Sequence, residues 1–171
     1  MTTPNQFNPY TASIPGITRS LENLSAILKK AEAHAEARKI DPSVLIQSRL
    51  YPDMFPLARQ VQIASDTAKG AAARLSGAEI PGFADTETTF AELQDRISRT
   101  LTFIGSVSAE AIAASADKTI TMKTGGTERT LSTPDYLFGF VLPQLYFHVT
   151  TAYDILRHNG VDLGKRDYLG A

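Results

Sequence analysis

The sequence predicts an all-α fold, a four-helix bundle carrying one small β-hairpin. Four long segments repeat apolar residues every three to four positions, the period of one buried helix face. Their ends coincide with capping residues, prolines and glycines, and the connections between them are short. One stretch only, Thr119-Ile120-Thr121-Met122-Lys123, alternates with period two, and Gly125-Gly126 after it marks a hairpin turn. The 171 residues read as a single domain, 1–171, long enough to bury a substantial core.

The first long helix carries Ile14, Ile17, Leu21, Leu24, Leu28, Ala31 and Ala35 in a heptad seam. It should stop near Lys39, because Asp41-Pro42 offers an N-cap followed by proline at the first position of a short helix, 42–48. Asp53 is expected to cap the second long helix, with Pro56 tolerated in its first turn. That helix presents Met54, Leu57, Ala58, Val61, Ala64, Ala68, Ala71, Ala72 and Leu75, and ends at Ser76-Gly77. A loop through Ile80-Pro81-Gly82 leads to a third helix opening within residues 85–89, where Thr89 and Glu92 stand at capping-box spacing. Its seam is Phe90, Leu93, Ile97, Leu101 and Ile104, with Glu92 and Arg96 spaced as an i, i+4 ion pair. After the hairpin, Thr133-Pro134 begins the fourth helix, which Pro143 should kink and Asn159-Gly160 should end.

Composition narrows the function classes. Hydrophobic residues make up 43% and charged residues 20%, ordinary values for a globular chain. The formal net charge of -1 offers no basic excess for a phosphate backbone, so no nucleic acid is expected as a partner. No cysteine is present, which removes disulfides, thiolate nucleophiles and thiolate metal ligands. No apolar run approaches a membrane span, and Met1 to Pro9 are polar without a signal-like pattern; no membrane partner and a cytoplasmic location are the expectations.

The fourth helix holds the most informative residue. Its stripe runs Leu137, Phe140, Val141, Gln144, His148, Thr151, Ala152 and Ile155, so three polar side chains point inward. A buried imidazole needs hydrogen-bond partners or a metal. His148 is therefore either a metal ligand or general base, or a core histidine bonded to Gln144, Thr151 or a facing carboxylate. Asp66 lies with Arg59, Gln62 and Lys69 on a polar strip of the second helix that reads most simply as exposed. If the strip faces a cleft instead, Asp66 could orient His148 or share a hard cation with it. Gln62, Gln144, Thr151 and Arg49 are the candidate ligand-binding residues. Arg49, Asp53 and Arg74 could form an ion-pair set that clamps a loop, or bind an anion. His34 and His158 sit where helix C-terminal ends favour positive charge. Gly164-Lys165 lacks a glycine-rich loop and is no phosphate motif. Tyr136, Phe138, Phe140, Tyr146, Phe147 and Tyr153 wrap much of the fourth helix, which predicts a homodimer.

Several stretches resemble a domain-of-unknown-function branch of the bacterial DinB-like, or YfiT-like, four-helix-bundle superfamily. They are Arg49-Leu50-Tyr51-Pro52-Asp53-Met54-Phe55-Pro56 with Gln60-Val61-Gln62, then Ala73-Arg74-Leu75-Ser76-Gly77 and Thr88-Thr89-Phe90-Ala91-Glu92-Leu93, then Phe147-His148-Val149-Thr150-Thr151-Ala152-Tyr153, and the ending Gly160-Val161 to Tyr168-Leu169-Gly170. The resemblance implies up-down-down-up topology, a long crossover and frequent homodimers. It also implies a divalent metal held by three histidines, one on helix 2 and two on helix 4 four residues apart, and thiol-linked chemistry in some members. This chain departs from that set: the neighbours of His148 at i+4 and i-4 are Ala152 and Gln144, and helix 2 has no histidine. The expected function is binding of a small molecule or divalent metal in a cleft around His148. The alternative is a non-catalytic homodimer whose Gln144, His148 and Asp66 make a satisfied polar core without metal.

Overall fold

A computed structural model describes residues 7–170, so the reading of the polar start falls mostly outside the described residues. Helix α1, Pro9–Arg38, starts at Asn8, whose Oδ1 accepts from the amides of Tyr10 and Thr11 at 2.9 and 3.3 Å. It ends at Lys39, which turns left-handed at φ 56° and returns its amide to the Ala35 and Glu36 carbonyls. Asp41 caps the short α2, Pro42–Gln47, as its Asp-Pro pair predicts. Helix α3, Leu57–Ser76, begins later than the sequence suggests and without a side-chain cap. Asp53 is exposed and caps nothing; the entry turn is held by Leu57 N–H on Ser48 O at 3.0 Å and by Gln60 Nε2 on Phe55 O at 2.9 Å.

Helix α4, Phe90–Ser106, has the predicted capping box: Thr89 Oγ1 accepts from Glu92 N, and the Glu92 carboxylate accepts from Thr89 N at 2.9 Å. That carboxylate is thereby committed to the cap, and the Glu92–Arg96 pair expected from spacing is replaced by other partners for Arg96. A short α5, Ala109–Ala113, precedes the hairpin β1, Thr119–Thr124, and β2, Thr127–Ser132. The hairpin is antiparallel, pairing Thr119 with Ser132 and Thr124 with Thr127, and both turn glycines have positive φ, 58° and 81°.

The last long helix is continuous from Thr133 to His158 but not uniform. Ser132 caps α6, Thr133–Tyr136, one residue before the expected cap, because Thr133 is drawn inward to donate to Ser115 O at 2.6 Å. Leu137–Val141 then form a π-helical turn that runs into α7, Leu142–His158. Pro143 therefore does not break the helix; the missing amide is accommodated by the wider turn ahead of it. Leu145 takes the inward place expected of Gln144, which is half-buried and makes no hydrogen bond.

Each long helix packs on two neighbours in the order α1, α4, α3, α7 and back to α1. Glu87, just before α4, meets Gln62, and Arg96 meets Asp66 farther along, so α3 and α4 run parallel. Gln60 faces His148 while Arg74 faces Tyr136, so α7 runs antiparallel to α3. The result is the up-down-down-up bundle, with residues 77–89 as the long crossover. The core between the four helices holds Ile17, Leu21, Leu24, Leu57, Val61, Phe90, Leu93, Leu145 and Ile155.

The tail closes on the bundle through α8, Lys165–Leu169. Asn23 Nδ2 donates to Tyr168 O at 2.9 Å and Lys30 pairs with Asp167 at 2.6 Å. Val161 and Leu163 are buried, whereas Leu169 stays exposed. Gly170 turns left-handed at φ 73°, a conformation that favours glycine, and a Cβ there would press the Asn23 amide out of its bond to Tyr168 O.

Candidate functional site

The first turn of α3 and the middle of α7 bring together a pair that only half appears among the sequence candidates. His148 is 7% exposed, and its Nδ1 lies 2.7 Å from Gln60 Oε1. Gln60 is 1% exposed, and its Nε2 donates to the Phe55 carbonyl. That second bond orients the amide, leaving Oε1 as the acceptor, so Nδ1 must carry the imidazole proton. The other nitrogen, Nε2, is then a bare acceptor. It makes no hydrogen bond within the described residues, and it is not among their fully enclosed unpaired atoms, Ser65 Oγ and Arg96 Nε. Burial, and then the positive charge of Arg59, push the His148 pKa down to about 4, so the ring is neutral at physiological pH. Phe147 stands edge-on to the ring at 5.2 Å.

The expected partners of His148 are elsewhere. Thr151 is buried but donates to Phe147 O on its own helix at 2.7 Å, and Gln144 makes no bond to the ring. Asp66 does not orient His148. Positions 60 and 66 lie about 120° apart around α3, so Gln60 faces α7 while Asp66 faces α4.

The polar strip of α3 is partly covered, with Gln62 and Lys69 buried and Arg59 and Asp66 partly exposed, and it forms a second cluster around Arg96. Arg96 is fully buried, with Nη2 at 2.8 Å from Asp66 and 2.9 Å from Asp85, and Nη1 at 2.9 Å from Glu87 and 3.1 Å from Ala84 O. Lys69 also pairs with Asp66 at 2.7 Å, Gln62 donates to Glu87 at 2.9 Å, and Arg59 pairs with Asp85. Phe83 lies under the cations of Lys69 and Arg99 at 4.1 and 4.2 Å. Burial alone would raise Glu87, but hydrogen bonds from Arg96 and Gln62 and the Arg96 charge hold its carboxyl below the ordinary range. Burial alone would lower Arg96, yet the carboxylates around it keep it firmly protonated. The cluster fastens the crossover to α3 and α4. With Gln62, Asp66 and Lys69 committed to it, none is free to serve a cleft.

The other candidates are dispersed. Arg49 donates to Met54 O at 2.7 Å and so clamps the loop before α3, but Asp53 and Arg74 do not join it; Arg74 meets the Tyr136 hydroxyl at 3.3 Å. His34 is partly buried in the last turns of α1, and His158 is exposed in the last turn of α7. Among the described residues no three His, Cys, Asp or Glu side chains are grouped so as to hold a metal ion, so the donor set implied by the DinB-like resemblance does not fit a metal here. The proposed His148 and Asp66 metal pair is not assembled.

Beside His148, Phe147 and Thr151 line a groove of about 430 Å³ together with Leu50, Met54, Pro143, Tyr146, Thr150 and Asp154. Large apolar side chains are exposed on the loop before α3 and along the last long helix: Tyr51, Phe55, Phe138 and Phe147 are 66%, 55%, 52% and 56% exposed. No described helix is long and apolar enough to cross a membrane.

Comparison with known proteins follows this geometry closely. Residues 10–169 match the family described as a domain of unknown function, DUF1993. The chain is similar to the crystal structure of a DinB family member protein from Shewanella denitrificans, at 46% identity over 95% of this chain and 92% of that one, with a TM-score of 0.86. No curated protein sequence matches it.

Proposed function

The chain belongs to the DUF1993 family of DinB-like bundles, and from that premise we propose that it is a cytoplasmic binding protein for a small, uncharged organic ligand, held beside His148. The observation that carries this reading is the bond pair Phe55 O to Gln60 to His148 Nδ1, which leaves a neutral imidazole offering Nε2 as an acceptor. An imidazole that protonates only near pH 4 is a weak general base at neutral pH, which favours recognition over proton transfer. Phe147, Met54, Leu50 and Pro143 in the adjoining groove suit an apolar body, and the acceptor suits an O–H or N–H donor on it. Phenol and indole are suitable probes. Each should shift the His148 Nε2 resonance in ¹⁵N NMR and lose its effect in His148→Leu; perturbation that is absent, or equal in the variant, would refute the site.

A second reading concerns the partner. From Leu137 to Tyr153 the chain has no Asp, Glu, Lys or Arg, although Phe138, Tyr146 and Phe147 lie outward. With Leu50, Tyr51 and Phe55 they expose on the order of 500 Å² of apolar side chain. That is a large share of the about 800 Å² each partner contributes to a standard interface. The charge depletion and aromatic enrichment also match an interface core. A homodimer through this face predicts a dimeric mass by light scattering and a monomeric one for Tyr51→Asp combined with Phe147→Asp. A monomeric wild type at tens of micromolar would remove this reading and leave the ligand site unaffected.

A further inference from the structure

We infer that the Gln60–His148 hydrogen bond stands in the place of a divalent cation, so that this chain joins α3 to α7 by an amide–imidazole bridge where a three-histidine bundle would use a metal. Three positions define the place. His148 and Ala152 are one turn apart on buried α7, and Gln60 comes from the facing first turn of α3. One helix contributes one position and the other contributes two at i, i+4, the geometry needed for three ligands on one ion. Only one of the three is a histidine.

Distance is the first argument. Two ligand atoms on one tetrahedral zinc, each about 2.1 Å from it, lie about 3.4 Å apart. Gln60 Oε1 and His148 Nδ1 are 2.7 Å apart, a direct hydrogen bond with no room for an ion between them. Donor chemistry is the second. Gln60 is a neutral amide whose nitrogen is taken by the Phe55 carbonyl, and the fully buried Ala152 supplies no donor. Charge is the third. Arg59, one residue before Gln60, places a cation near His148, and the carboxylates of Asp66 and Asp85 are bound to Arg96, Lys69 and Arg59. An incoming divalent ion would meet that positive neighbour, with Asp66 and Asp85 already paired.

The inference does not depend on whether a ligand reaches Nε2. It predicts that the metal site is two substitutions away, at Gln60→His and Ala152→His. Co²⁺ titration followed by visible absorption tests it on wild type, on this double variant, and on the double variant carrying His148→Ala, with helix content checked by circular dichroism. Wild type should show no d–d bands and no tight Co²⁺ binding. The double variant should take up close to one equivalent with the intense bands of tetrahedral cobalt, and should lose it with His148→Ala. Tight Co²⁺ binding by wild type that His148→Ala abolishes would overturn the inference, and so would a folded double variant that binds none. Where the second histidine prevents folding, the near-isosteric Gln60→Glu should by itself raise Co²⁺ affinity about tenfold or more over wild type. No gain would equally overturn it.

Discussion

Replacing Arg96 with methionine is expected to destabilise the fold by about 3 kcal/mol, measured by urea unfolding. The guanidinium ties Asp66, Asp85, Glu87 and the Ala84 carbonyl to one point. Removing it leaves Glu87, with a side chain only 9% exposed, charged and short of its main partner. Loss of one partner from a buried pair costs about 3–5 kcal/mol. The lower end applies because Asp66 and Asp85, each 39% exposed, recover water. Arg99→Met is the control for losing a cation over Phe83: it gives up that contact at 4.2 Å and a pair with Asp95 at 3.6 Å that is exposed on both sides and contributes about 0–1 kcal/mol. A cost for Arg96→Met no larger than that of the control would mean that Phe83 and the backbone, not the ion pairs, hold the crossover in place.

Acid should weaken the protein through one histidine. Folded His148 takes up its proton only near pH 4, whereas the unfolded ring does so at its ordinary value near 6.5. Between those values the unfolded chain holds more protons, so stability is complete above about pH 6.5 and falls as the pH drops toward 4. At 1.36 kcal/mol per pH unit, the full gap amounts to roughly 3 kcal/mol. His148→Gln removes the titration while keeping a group able to bond Gln60, so its unfolding free energy should fall less over the same window. Parallel pH curves for the two proteins would show that His148 charges at an ordinary pH and that its burial has no energetic consequence.

The helical skeleton was legible because its signals are local. Heptad spacing from Ile14 to Ala35, the Thr89/Glu92 box and the Gly125-Gly126 turn each act within a few residues, and each is realised where the pattern put it. The site was less legible because its bonds join distant segments. His148 is correctly inward, but its partner Gln60 lies 88 residues away, hidden between Leu57 and Ala64 on a stripe read for its apolar members. A polar residue at that inward position was itself the available signal. Arg96 carried the same kind of signal, lying three residues after Leu93 and four before the buried Thr100. Its carboxylate partners come from an aperiodic loop, which no stripe can place. Gln144 lies at the edge of the buried face of α7, where Leu145, three residues before His148, takes the inward place.

The parallel pairing of α3 and α4 has a kinetic consequence. Antiparallel neighbours can zip from a tight turn, but here residues 77–89, about 40 Å when extended, must travel back along a helix about 30 Å long before α4 can dock. Contacts that require such a closure are entropically late. The Arg96 cluster, with partners drawn from Arg59 to Glu87, belongs to that late group. Interactions made after the folding barrier slow escape from the native state more than they speed arrival. The crossover thus sets how long a folded molecule persists, while the rate at which it forms is left to the antiparallel helices.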